Sequence, residues 1–145
     1  MTAKLGHRSR CGAHWVAMKS PTERRRTRSS DPLVALHYQL AFSRREGGLD
    51  AVVVADDSGV VVAASGGWAA CEELAAYAPL LVRGHHGGPG STSTGRLAEI
   101  GLHADVQAID VDGQTVLLCA RGERAKTAAM RQVADGVARI LSRAA

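Results

Sequence analysis

The sequence predicts an α+β domain in which a five-stranded antiparallel sheet is sandwiched between helices. Two apolar Val/Ala runs, residues 51–55 and 60–64, are joined by the turn residues 56–59, a pattern typical of a β-hairpin. Neither run alternates with polar residues, so both faces of these strands should be covered, most simply by helices. Segments with helical spacing precede and follow the hairpin, and short connections allow sequential strands to pair.

The first helix is predicted from residue 31. Asp31 suits the N-cap and Pro32 suits the first helical position, where its missing N–H costs nothing. Apolar residues then recur at helical spacing as far as the glycine pair 47–48, which ends the helix. His37 lies on or beside the apolar face, and a lone histidine there is more often packed and hydrogen-bonded than a ligand.

The second helix is predicted over residues 68–82. Apolar residues follow at i, i+3 and i+4, and Glu72 and Glu73 lie near the start, where the helix dipole favours them. Pro79 removes one helical hydrogen bond, so either the helix bends there or its last turn is separate. Apolar residues on several sides of this helix, small ones included, allow two packing partners, the sheet and a second subunit.

The C-terminal half predicts three strands and a last helix. Residues 96–103 predict a short third strand, since Ala98, Ile100 and Leu102 alternate. Residues 106–111 and 115–120 flank an Asp-Gly pair at 112–113, which predicts a second hairpin. Residues 124–141 predict a long amphipathic helix. The order is therefore α-β-β-α-β-β-β-α, with the middle helix on one face of the sheet and the terminal helices on the other.

The basic charge is concentrated at the N-terminus. The formal net charge of +4 is supplied by a cluster of arginines at positions 24, 25, 26 and 28. We interpret residues 1–30 as a mobile, disordered basic arm and residues 31–145 as the folded domain. The arm either grips nucleic acid, anionic lipid or an acidic partner, or is a solvated leader. The scarcity of aromatic residues disfavours a nucleic-acid-binding module.

The cysteines indicate a reducing compartment. Cys11, Cys71 and Cys119 are scattered without a CxxC pair, and Cys119 lies in an apolar run where a structural thiol is expected. Neither a secretory signal nor an apolar run of about 18 residues is present. A cytoplasmic protein is expected.

The loop 84–95, GHHGGPGSTSTG, carries no recognisable nucleotide-binding spacing. It lacks the lysine of a P-loop, and His85 and His86 lack a third ligand for a metal. The hydroxyl residues from Ser91 to Thr94 are candidate phosphate acceptors. Because no carboxylate pair, triad or metal-ligand spacing appears in the chain, we expect no enzyme activity and no catalytic, cofactor or metal site.

Residues 49–66, LDAVVVADDSGVVVAASG, followed by EELA at 72–75, resemble the hairpin and helix of the roadblock/dynein light-chain family, whose domain is longin-like. The element order from 32 to 141 is similar as well. The resemblance implies a roadblock/longin/profilin-like fold. It also implies a non-catalytic dimeric scaffold or regulator that binds a small Ras-like GTPase or a motor or polarity component.

The second helix is the candidate partner surface. Residues that flank its apolar stripe are the predicted contacts: Glu72, Glu73, Tyr77 and Arg83. Homodimerisation is expected either through the third strand or by packing of two second helices. The competing class is a small-molecule sensor, because GAF-, PAS- and profilin-like domains also combine an antiparallel sheet with helices and hold ligands in pockets.

Overall fold

The structure is a computed structural model that describes residues 30–84, 92–122 and 127–144. Its elements are α1 (Pro32–Gly47), β1 (Ala51–Asp56), β2 (Val61–Gly66), α2 (Trp68–Val82), α3 (Thr92–His103), β3 (Ala104–Val111), β4 (Gln114–Arg121) and α4 (Thr127–Ser142). Nearly all of the predicted basic arm, His85, His86 and Ser91 of the Gly/His loop, and the predicted start of the last helix at 124–126 lie outside the described residues.

β1 is a central strand of an antiparallel sheet with the order β2-β1-β4-β3. Val53 pairs with Ala64 of β2 on one side and with Cys119 of β4 on the other. Residues 51–55 are completely buried, since helices cover both faces of the sheet. The prediction drawn from the uninterrupted Val/Ala run is confirmed.

Two apolar cores lie on opposite faces of the sheet. Val52 and Val54 of β1 pack with α1 and α4, because successive strand residues point to opposite faces. Ala51, Val53 and Ala55 pack with α2 and α3. Large buried residues of the first core are Leu36, Leu40, Leu118, Met130, Val133 and Val137; those of the second are Cys71, Leu74, Ile100, Leu117 and Cys119. The predicted placement of the middle and terminal helices is confirmed.

The sheet has four strands among the described residues, and the five-strand prediction is wrong. The predicted third strand, 96–103, belongs to α3. Leu97 and Ile100 are buried, three residues apart, while Ala98 and Leu102 are exposed. This spacing is helical, and the alternation of Ala98, Ile100 and Leu102 was a coincidence of composition.

The local signals at the first helix and at the second hairpin are confirmed. The Asp31 carboxylate accepts a hydrogen bond from the Leu33 backbone N–H at 2.9 Å, and Gly48 ends α1 in the left-handed conformation. Asp112 and Gly113 have φ angles of 50° and 82°. Positive φ at both central residues is the signature of a type I′ turn, which suits the twist of the flanking strands.

α2 continues through Pro79 to Val82. Because proline has no N–H, the Ala75 carbonyl lacks its usual helical donor. That carbonyl lies against the hairpin turn: a Cβ atom on Gly59 would be 2.8 Å from the Ala75 oxygen. Pro79 and Gly59 together allow the β1-β2 turn to pack closely on α2.

Candidate partner-binding surface

α2 is apolar on its outer side as well as on the side that packs against the sheet. Its inner residues are Cys71, Leu74, Ala75 and Ala78. The outward residues form one continuous stripe at helical spacing, which we call the α2 surface: Trp68, Ala69, Glu72, Ala76, Leu80 and Arg83, all exposed. A helix that presents apolar residues to solvent commonly packs against another protein.

Two of the predicted contact residues lie on the α2 surface. Glu72 and Arg83 are exposed and stand eleven positions apart, which is about 16 Å along a helix. They place opposite charges towards the two ends of an apolar stripe. This arrangement suits a docking surface that specifies the orientation of its partner.

The other two predicted residues lie on the opposite flank of α2, towards α3. Nε and Nη2 of Arg96 donate to Oε1 and Oε2 of Glu73 at 2.6 and 2.8 Å, and Nη1 donates to Glu99 at 2.9 Å. The hydrogen bonds from Arg96 lower the pKa of Glu73. Tyr77 is half-buried against the second core. The structure therefore does not bring the four residues into one patch.

Sequence reasoning missed Trp68 and Val60. Their side chains are 63% and 61% exposed, and they line a shallow pocket of about 310 Å³ together with Gly59, Val61 and Glu72. Trp68 stands outside the buried stripe of α2, and a tryptophan at a non-core helical position was the signal in the sequence. Exposed tryptophans often anchor protein interfaces.

The carboxylate of Asp56 orders the turn that carries Val60. Its Oδ1 accepts hydrogen bonds from Ser58 Oγ at 2.7 Å, from Val60 N at 2.9 Å and from Ser58 N at 3.0 Å. These bonds, the one from Ser58 Oγ first, lower the pKa of Asp56. The exposed apolar side chain of Val60 is thus held beside Trp68 by a charged, hydrogen-bonded turn.

Two cysteines and one histidine among the described residues have environments typical of structural, not catalytic, side chains. Burial raises the pKa of the Cys71 thiol, and that of Cys119 to about 12, so both thiols are protonated at neutral pH. Nδ1 of the exposed His37 lies 3.1 Å from the Ala64 carbonyl oxygen and donates to it.

Within the described ranges, no three His, Cys, Asp or Glu residues are grouped to hold a metal. In the same ranges, every helix is too short or too polar to cross a membrane.

Solved structures similar to this one are MglB proteins. Myxococcus xanthus MglB is 14% identical with a TM-score of 0.49, over 81% of this chain and 92% of that chain. The gliding protein MglB from Thermus thermophilus is 19% identical with a TM-score of 0.49, over 80% and 95%. An MglB with a tetrameric arrangement is 19% identical with a TM-score of 0.50, over 81% and 96%.

No protein-family model and no curated protein matches the sequence. At 19% identity, the likeness to the third structure concerns the fold. MglB proteins are roadblock/longin-like domain proteins, and the resemblance drawn from the hairpin residues is confirmed at that level. The chain has the roadblock/longin-like fold.

Proposed function

We propose that the protein is a non-catalytic, dimeric regulator or scaffold that pairs with a second copy through the α2 surface and binds a small Ras-like GTPase through the pocket lined by Trp68 and Val60, which we call the Trp68 pocket. The observation that carries this proposal is the apolar outer side of α2. The resemblance of the hairpin and helix to the roadblock/dynein light-chain family supports the partner class. A cytoplasmic location, expected from the scattered cysteines, belongs to the same proposal.

The dimer forms by packing of α2 against α2 of a second copy. The alternative route through a third strand is withdrawn, because residues 96–103 are helical. The small, exposed side chain of Ala76 allows two helices to approach closely near the middle of α2. One similar MglB structure is itself described as tetrameric, which supports self-association as a property of this fold.

The charges of α2 suit a two-fold pairing. Glu72 and Arg83 lie at equal distances from the midpoint between Tyr77 and Ala78. In an antiparallel pairing centred there, Glu72 of each copy lies opposite Arg83 of the other, as a self-complementary interface requires. Trp68, the first residue of α2, lies outside the paired stretch 72–83, so it is left for the GTPase in each copy.

A dimer of this kind regulates by differential affinity. It presents two Trp68 pockets on one broad surface, and a surface that prefers one conformation of a partner's switch segments shifts the partner towards that conformation. No catalytic group of this chain is needed for such an effect. Glu73 and Tyr77 contact other residues of this chain, and we assign them no contact with the GTPase.

Binding to candidate GTPases loaded with GDP or with a GTP analogue tests the proposal. We expect one nucleotide state to bind more tightly, and Trp68→Ala to weaken that binding about tenfold or more, as for a central aromatic anchor. Leu102→Ala is the control, since Leu102 is an exposed apolar residue on α3. Absence of binding in both states, together with a tight small-molecule ligand in a thermal-shift screen, would favour the sensor class instead.

A further inference from the structure

On the opposite face of the sheet, α1 and α4 border an open groove of about 800 Å³. We call it the α1/α4 groove. Tyr38 and Phe42 of α1 line it and are 66% and 51% exposed. The other side is lined by Gly136, Arg139 and Ile140 of α4 and by Arg143 just after it. Two aromatic rings in solvent on one helix are unusual unless something packs on them.

Gly136 of α4 lies against Gln39 of α1 in this groove. A Cβ atom at this position would be 2.8 Å from Nε2 of Gln39 on α1. Because glycine has no side chain, Gln39 packs directly on α4 there, and the two residues form the floor of the groove. Tyr38 and Phe42 on one wall and Ile140 on the other then offer an apolar trough.

The α4 wall of the groove is positively charged. Arg139 lies in the last turn of α4 and Arg143 directly after its last residue, Ser142; both are exposed and both line the groove. Among the residues that the structure describes, neither guanidinium has an ion-pair or hydrogen-bond partner. Asp31 caps α1 near one end of the groove, and Asp135 lies on α4 outside the lining. Two neighbouring cations beside an apolar trough complement a ligand that is both apolar and acidic.

We propose that the α1/α4 groove binds an acidic amphipathic helix of a partner protein. The apolar side chains of the bound helix, at i, i+3 or i+4, and i+7, contact Tyr38, Phe42 and Ile140. The carboxylates of the bound helix pair with Arg139 and Arg143. The α1 wall from Pro32 to Phe42 is about 15 Å long, which matches about three turns of a bound helix. Residues 1–29 of this chain are net basic, so they have the wrong charge for the site.

This surface lies across the sheet from the α2 surface. The two proposals are therefore independent, and a single molecule can carry a GTPase on one face and an acidic helix on the other. Trp68→Ala should leave helix binding in the groove unchanged.

The test uses two synthetic helical peptides of about four turns. Both carry leucines at the anchor positions, and they differ only in having glutamate or lysine beside them. Fluorescence anisotropy with the full chain should show that the glutamate peptide binds at least about tenfold more tightly, a difference that shrinks as salt is added. Equal affinities, or no binding of either peptide, would overturn the proposal.

Variants locate the binding. Arg139→Glu/Arg143→Glu should weaken the glutamate peptide about tenfold or more and strengthen the lysine peptide, whereas Phe42→Ala should weaken the glutamate peptide without reversing the preference. Arg131→Glu reverses one charge at an exposed position of α4 outside the lining and is the control, which is compared with Arg139→Glu alone as well as with the double variant. Circular dichroism confirms folding of each variant. Loss of binding in the control, or groove variants without effect, would show that the peptide binds elsewhere.

Light scattering tests whether the α1/α4 groove is instead occupied by a second copy of this chain. If the chain self-associates and Arg139→Glu/Arg143→Glu abolishes that association, the groove belongs to another copy of this chain and the proposal fails. An unchanged oligomeric state in this variant is the expected result.

Discussion

Gly59 lies in the β1-β2 turn, where it contacts α2 in a backbone conformation that residues with a side chain rarely adopt. Its φ is +92°, and a Cβ atom would meet the Ala75 carbonyl oxygen at 2.8 Å. Gly59→Ala should therefore lower the free energy of unfolding by about 2–3 kcal/mol. Gly48→Ala, at a positive φ but in open space, should cost about 1 kcal/mol. Urea denaturation measures both; equal losses would mean that the contact with α2 is unimportant.

Asp56 should make the free energy of unfolding decrease at acidic pH. The hydrogen bonds from the turn lower its folded-state pKa below the ordinary value of 3.8, so its stabilisation is present above that value and is lost as the pH falls through the lower folded pKa. In Asp56→Asn, the melting temperature should fall less steeply with acid. Asp57→Asn, in the same turn, is the control.

Glu73 shares the direction of this effect, because its pKa is also lowered in the folded state. Some acid dependence should thus remain in Asp56→Asn. Melting temperatures that follow the same pH curve in Asp56→Asn and the unaltered protein would show that the turn hydrogen bonds do not contribute.

At the scale of elements, α3 packs on the second core by one side only. Ile100 is buried, whereas Leu102 is 79% exposed. Ile100→Ala should lower the free energy of unfolding by about 2–4 kcal/mol, and Leu102→Ala should change it by less than about 0.5 kcal/mol. Chemical denaturation measures the two. A strand would place both residues on the same face, so comparable losses would contradict the helix.

At the scale of the whole molecule, the paired-helix dimer makes a charge-exchange prediction. Glu72→Arg should weaken the dimer because it places like charges opposite each other at both ends of the interface. Glu72→Arg/Arg83→Glu should restore it, since the pairs are again opposite in sign. Analytical ultracentrifugation over a range of concentrations measures the dissociation constants. Glu99→Arg, on α3, is the control for a change of net charge.

A double variant as weak as Glu72→Arg would rule out this register of the helices. A monomer at all concentrations, before any substitution, would rule out the dimer itself. If such a monomer still bound a GTPase, the proposal that the Trp68 pocket binds the GTPase would stand without the dimer.

The local features were readable in the sequence because neighbouring residues decide them. The run 51–55 is uniformly apolar and is buried on both faces; Asp31, Gly48, Gly59, Asp112 and Gly113 cap or turn the chain by their own backbone preferences and short-range hydrogen bonds. These signals involve a few consecutive residues. They were sufficient to predict the two hairpins, α1, α2 and the three layers.

Only the tertiary structure decided the identity of α3. The spacing of Leu97, Ile100 and Leu102 is compatible with a strand or a helix, and the burial of Leu97 and Ile100 in the folded protein selects the helix. The candidate site was half predictable for a similar reason. The sequence of α2 marks its exposed residues but not which flank meets Arg96, so Glu73 was assigned to the surface and Trp68 was overlooked. The α1/α4 groove was not predictable from the sequence either, since its walls are about a hundred residues apart in the chain. The two helices become neighbours only when both pack on the same face of the folded sheet.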